Sequence, residues 1–200
     1  MAKLVVMGAS AGGTEALAEV CRDLAADFST PVVVVVHIGP EGSDLLDVLT
    51  RVCALPVRYA ADGQIASPGI WIAAPAFNLT VVDACEGVQF RFSQVGHPHL
   101  SQPSINPLFK SAAREFKRQV IGVLLSGFLD DGVEGLYQIK MAGGKTVVQD
   151  PTNAAVGDMP AAALRRMTVD AILPAVAIGP ALSAMVASMH NERNYTSQSV

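Results

Sequence analysis

The chain has 200 residues, half of them hydrophobic, with 16% charged and a formal net charge of -4. That is enough apolar material for one domain with a sizeable core, whereas a mildly acidic chain without a Lys/Arg run argues against a nucleic-acid surface, which needs clustered cations. Cys21, Cys53 and Cys85 lack C-x-x-C or His-rich spacing, so they indicate neither a disulfide framework nor a zinc site and are expected as buried or half-buried structural thiols in a reducing cytoplasm.

The first element sets up the rest. An apolar run, Leu4 to Met7, breaks into Gly8-Ala9-Ser10-Ala11-Gly12-Gly13 and then turns helical at Thr14, the pattern of a strand, a tight turn and a helix start. The glycines permit close approaches that a Cβ would block, leaving the Ser10 hydroxyl at the tip of the turn beside the free N–H groups of a helix N-terminus. Such a hydroxyl suits attack on a carbonyl whose oxyanion those donors hold, or binding of an anion such as phosphate. The run is too short and too quickly interrupted for a signal peptide.

A helix is predicted over residues 14–25, and Pro31 leads into the valine run Val32–Val36, a strand covered on both faces. His37 ends it. After a loop from Ile38 to Gly42, Ser43 or Asp44 caps a helix running to Val52. Short strands follow at Val57–Tyr59 and Ile70–Ala73, then a hairpin pairs Leu79–Asp83 with Val88–Phe92 around Glu86-Gly87. Residues 93–107 form a polar, proline-rich loop carrying His97, His99, Ser101 and Ser104. Loops of this sort more often serve a site than a core.

Strands and helices then alternate: helix Ile105–Phe116, strand Val120–Leu125, helix Gly132–Ala142, strand Lys145–Gln149, helix Pro160–Met167, strand Ala171–Leu173 and helix Pro180–Met189. The expected fold is α/β, a doubly wound, mostly parallel sheet with an added β-hairpin. Residues 171–189 lack charge, but Pro174 and Gly179-Pro180 break them, so they read as core and not as a membrane span. Residues 1–190 form the domain and 191–200 a polar, disordered tail.

Sites in such sheets collect at the carboxyl ends of strands, where Ser10, His37 and Asp130-Asp131 fall. A serine nucleophile needs a base and the base needs a carboxylate, roles that Ser10, His37 and Asp131 permit. Gly8-Ala9-Ser10-Ala11-Gly12 also matches G-x-S-x-G, although the order Ser, His, Asp differs from that of α/β-hydrolases. Each residue has a plainer role open to it: the glycine turn in phosphate binding, His37 as a strand-end histidine, Asp131 as a helix cap. His97 and His99 compete as bases but sit on a Pro-flanked loop, and His190 borders the tail. A nucleotide site is the weakest reading, since no P-loop lysine is present.

Together the segments Gly8–Leu17, His37 after its strand, Pro103-Ser104-Ile105-Asn106-Pro107-Leu108-Phe109, Gly122–Gly127 with Asp131-Gly132, Ala142-Gly143-Gly144 and Met159-Pro160 resemble the catalytic domain of CheB-type protein-glutamate methylesterases of bacterial chemotaxis. The resemblance implies a cytoplasmic serine esterase that hydrolyses glutamate methyl esters on chemoreceptors and also deamidates glutamine there. Ser10 would be the nucleophile, His37 the base and Asp131 its orienting partner, with N–H groups of Ala11, Gly12 and Phe128 as the oxyanion hole. It implies no metal and no cofactor, and contact with a membrane only through a receptor.

Departures fall near the substrate. Ser101-Gln102 precedes Pro103-Ser104 where the family usually has His-Arg, Phe128-Leu129-Asp130 replaces Met-Gly-Asn, and Gly157-Asp158 replaces an aromatic and a glycine. Gln102, Ser104 and Asp158 are thus the candidates for the substrate side. A strand starting at Leu4 leaves no receiver domain expected in cis. The alternative reading is a weak or inactive CheB-like module that binds a protein partner.

Overall fold

Seven short runs pair into one sheet; inner runs such as Leu4–Ala9 and Val32–Val36 are buried on both faces, whereas the edge runs Val57–Tyr59 and Ala171–Leu173 are partly exposed. The computed structural model describes residues 3–37, 44–75, 77–93 and 103–196. Its elements are β1 (Leu4–Ala9), α1 (Gly13–Arg22), β2 (Val32–Val36), α2 (Leu45–Val52), β3 (Val57–Tyr59), β4 (Ile70–Ile72), β5 (Asn78–Ala84) and β6 (Gly87–Ser93). There follow α3 (Ile105–Phe116), a 3-10 turn (Lys117–Gln119), β7 (Val120–Leu124), α4 (Val133–Met141), β8 (Lys145–Gln149), α5 (Asp158–Arg166), β9 (Ala171–Leu173) and α6 (Ala175–Thr196). The loop after His37, the cap at Ser43, and His97, His99, Ser101 and Gln102 lie outside the described residues.

The strand order is β3-β4-β2-β1-β7-β8-β9, with every pairing parallel, and β5 and β6 form a separate antiparallel hairpin. Strand alternation sends Val5, Met7 and Ala9 of β1 and Val32, Val34 and Val36 of β2 to a layer containing Leu17 of α1, Leu49 of α2 and Leu182 of α6. The residues between them, Leu4, Val6, Val33 and Val35, meet Phe109 of α3, Leu136 of α4 and Phe90 of the hairpin. The sheet is therefore doubly wound, as expected. From β1 the chain first adds strands on one side and then, at β7, on the other, so the switch point lies between β1 and β7.

Three local expectations are corrected. The hairpin turns on Cys85-Glu86 and not on Glu86-Gly87, because Ala84 pairs with Gly87, whose φ of 129° favours glycine. Cys85 consequently faces solvent instead of the core. The last helix starts at Ala175, where the Pro174 carbonyl accepts from Ala177 N–H, and it runs past Pro180. Burial of Ile178 and Leu182 offsets the bond Pro180 forfeits. The backbone stays helical to Thr196, into the segment expected as a tail, because Asn191–Thr196 contains neither Gly nor Pro. Among the described residues no helix is long and apolar enough to cross a membrane.

Cys53 ends α2 half-buried, packed against the core layer that contains the buried Cys21. The Cys21 thiol hydrogen-bonds to it and lowers its pKa to about 7, against the cost of burial and with help from the Leu55 N–H at 3.4 Å. The same contact, together with burial, pushes Cys21 up. Alkylation of Cys53 by iodoacetamide is accordingly expected to reach half its maximal rate near pH 7, with Cys21 unmodified; a midpoint near the ordinary thiol value of 9.0 contradicts this thiol pair.

Candidate active site at the carboxyl end of the sheet

Ser10 leaves β1 at the switch point. Its N–H donates to the Ser126 carbonyl (2.9 Å) just beyond β7, while its own carbonyl accepts from Gly13 N–H (2.8 Å) at the start of α1. The turn between is tight: Gly12 adopts φ 69°, and a Cβ there would meet Ala155 Cβ at 2.5 Å and Ser126 Oγ at 2.9 Å. Ala9 pairs with Val36, and His37 N–H donates to the Ala9 carbonyl at 3.1 Å. The next positions outward are Ser10 and His37, on chains about 5 Å apart and on the sheet face that carries α3.

His37 Nε2 lies 2.8 Å from Asp131 Oδ2. The carboxylate is held from several sides: Ser104 Oγ donates to both oxygens (3.1 and 2.9 Å), Ile105 N–H to Oδ2 (2.7 Å) and Asn106 N–H to Oδ1 (3.1 Å). Asp131 therefore caps a helix, but the helix is α3 and not α4, whose own N-cap is Gly132. Burial pushes the Asp131 carboxyl up, yet the donors from His37, Ile105, Ser104 and Asn106 outweigh it and hold it below the usual 3.8. Ionised Asp131 only accepts, so Nε2 is the donor in this contact.

The backbone N–H groups of Ala11, Gly12 and Phe128 have no acceptor among the described residues. The Ala11 carbonyl is turned aside by Ser126 Oγ, which donates to it at 2.7 Å, and the same oxygen accepts from Val156 N–H at 2.9 Å. Beside Ser10 the site is packed so closely that a Cβ on Gly127 would lie 2.7 Å from both Ser10 Cβ and Met159 Cε. Gly127 N–H and carbonyl are bound to the Val156 carbonyl and Met159 N–H, fixing the wall that presents Phe128.

Leu129 takes φ 63° although it is not glycine, and it is 79% exposed. The turn thus keeps a left-handed residue where the resemblance leads one to expect glycine. Relief of about 1–2 kcal/mol of left-handed strain outweighs the roughly 0.5–1 kcal/mol entropy cost of glycine, so Leu129→Gly is expected to raise stability in urea by about 0.5–1 kcal/mol. An unchanged or lower midpoint contradicts strain at this turn.

Of the residues proposed for the substrate side, Gln102 lies outside the described residues. Ser104 is half-buried and spends its hydroxyl on Asp131. Asp158 starts α5 and lines an open cavity of about 620 Å³ with Leu129 and Asp130. Sequence reasoning missed the support behind the turn: Gln149 Oε1 accepts from Ser126 N–H (2.9 Å), and its amide nitrogen donates to Asn153 Oδ1 (2.9 Å). Ser126 is fully buried and Gln149 nearly so, a need for partners that the sequence does not display.

Comparison with known proteins points one way. A model of the family described as CheB methylesterase matches residues 5–182. A protein-glutamate methylesterase/protein-glutamine glutaminase of Anaeromyxobacter dehalogenans is 42% identical over 182 residues, which cover 90% of this chain and 52% of that protein. A protein of the same name from Moorella thermoacetica is 36% identical over 188 residues, 92% of this chain and 44% of that one. The chain thus spans about half the length of these relatives. The crystal structure of the CheB methylesterase catalytic domain of Thermotoga maritima superposes with a TM-score of 0.87 at 29% identity, covering 92% of this chain and 99% of that one.

Proposed function

Because the chain belongs to the CheB methylesterase family, we propose that it is a serine esterase removing methyl groups from glutamate side chains of a chemoreceptor-like protein, with Ser10, His37 and Asp131 as one catalytic unit. The observation that carries this reading is the 2.8 Å contact of His37 Nε2 with a multiply hydrogen-bonded Asp131, where His37 follows Val36 as Ser10 follows its register partner Ala9. That contact leaves Nδ1 as the basic nitrogen on the imidazole.

Ser10 Oγ attacks the ester carbonyl carbon as His37 Nδ1 takes its proton. The oxyanion is held by N–H groups of Ala11 or Gly12 from one wall and Phe128 from the other. Each such donor contributes about 3–4 kcal/mol to the transition state. The C–O bond to the methoxy group breaks, and His37 returns the proton so that methanol leaves. Water then adds to the acyl-serine by the same route, giving free Ser10 and a glutamate carboxylate. A glutamine side chain in the same cleft would release ammonia in place of methanol.

We place this activity in the cytoplasm, near a membrane only through the substrate protein; the free Cys21 and Cys53 thiols suit a reducing compartment. A purely binding module is less favoured, because His37 and Asp131 are both held for proton transfer and the relatives carry enzyme names. Methanol release from a peptide containing a γ-methyl glutamate, sensitive to substitution of Ser10, is the test. Absence of methanol from the intact protein and such peptides contradicts the esterase reading.

A further inference from the structure

Met159 of α5 reaches Gly127 and the neighbourhood of Ser10, and Asp158 precedes it at the N-terminus of that helix. Arg165 and Arg166 lie in its last turn, about 10–12 Å beyond Asp158 along the axis at 1.5 Å per residue. All three charged residues line the same open cavity of about 620 Å³, together with Leu129 and Asp130. The α5 wall of the groove is therefore polarised, with Asp158 at the end of the helix that reaches Gly127 and Arg165 and Arg166 at its other end.

The two arginines are not equivalent. Arg166 is committed, lying over the Tyr137 ring at 4.0 Å and 3.5 Å from Glu134 Oε2. Arg165 is exposed and has no ion pair or hydrogen bond among the described residues. Leu129, exposed in a left-handed turn, adds an apolar rim. Strain at an exposed apolar residue beside a cleft is the sort of feature that persists where something is bound.

We propose that this groove is the substrate-docking surface, and that Arg165 is a specificity residue which binds a carboxylate of the substrate protein remote from the reacting ester. The inference rests on the esterase reading and goes beyond it by naming what surrounds the ester. At the end of α5 nearest Gly127, Asp158 repels an ionised side chain and accepts a neutral ester or amide. At the far end, Arg165 attracts an acidic neighbour. Hydrolysis converts the neutral group to a carboxylate beside Asp158, which favours its departure.

Two synthetic peptides test this, each with one γ-methyl glutamate, one flanked by glutamates and the other by glutamines at the same positions. The wild-type protein is expected to prefer the acidic peptide about fivefold in kcat/KM, mainly through KM, with the preference shrinking as salt is added. Arg165→Lys should keep most of that preference and Arg165→Glu should reverse it. Equal kcat/KM for the two peptides, or the same preference in Arg165→Glu, overturns the proposal while leaving the esterase intact. Hydrolysis of neither peptide overturns both.

Discussion

Ser10→Ala is expected to lower kcat for methyl ester hydrolysis by about four orders of magnitude while leaving the protein folded. The substitution removes only Oγ. No hydrogen bond to another described side chain depends on that atom, and the backbone contacts of the turn, Ser10 N–H to Ser126 and Gly13 N–H to Ser10, do not involve it. Thermal stability should therefore change by under about 1 kcal/mol. Methanol measured by coupled oxidation, against unfolding followed by circular dichroism, separates the two effects. Retention of most of the activity would assign the chemistry to another group.

Asp131→Asn is expected to cost about as much in kcat, and it should also cost stability. The amide offers an NH₂ where the carboxylate only accepts, so it favours the His37 tautomer protonated at the wrong nitrogen. Moreover, Asp131 accepts from the Ile105 and Asn106 N–H groups and from Ser104 Oγ, and a neutral acceptor with one oxygen cannot serve them all. The expected loss is about 1–3 kcal/mol in urea denaturation. Acid should reveal the same group. Since the folded pKa lies below the unfolded one, the contribution of Asp131 is fully present above the usual 3.8 and fades as pH falls through the lower folded value. Asp131→Asn should therefore flatten that acid limb, and an unaltered limb contradicts the assignment of the depressed group.

What made much of this legible in sequence was local chemistry acting at short range. The valine run Val32–Val36, the span Ile105–Phe116 after its serine and the strands Lys145–Gln149 and Ala171–Leu173 carry their own start and stop signals, and each is observed with the expected bounds. Pro180 misled because proline is a start signal only relative to the residues before it, and here Pro174 already provides one. The hairpin turn slipped by one residue because Ala84 and Gly87 fit the strand ladder and leave only Cys85 and Glu86 to close it.

The site divides in the same way. Strand ends made Ser10, His37 and Asp131 candidates, but the sheet order that brings β1, β2 and β7 together is a long-range property. That Asp131 caps α3, 26 residues upstream of it at Ile105, leaves no local pattern to read. The Ser126–Gln149–Asn153 chain is equally invisible, since each member looks ordinary until burial demands a partner. Charge along α5 was readable as composition, but the cavity that Asp158, Arg165 and Arg166 share with Leu129 and Asp130 was not.

A fluorophosphonate probe tests most directly whether Ser10, His37 and Asp131 work as one unit, because it reacts only with a serine whose proton is taken by a positioned base. The intact protein should be phosphonylated at a single peptide containing Ser10, and His37→Ala should abolish the label while preserving the fold by circular dichroism. Labelling at another residue, or undiminished labelling of Ser10 in His37→Ala, contradicts a Ser10–His37–Asp131 unit.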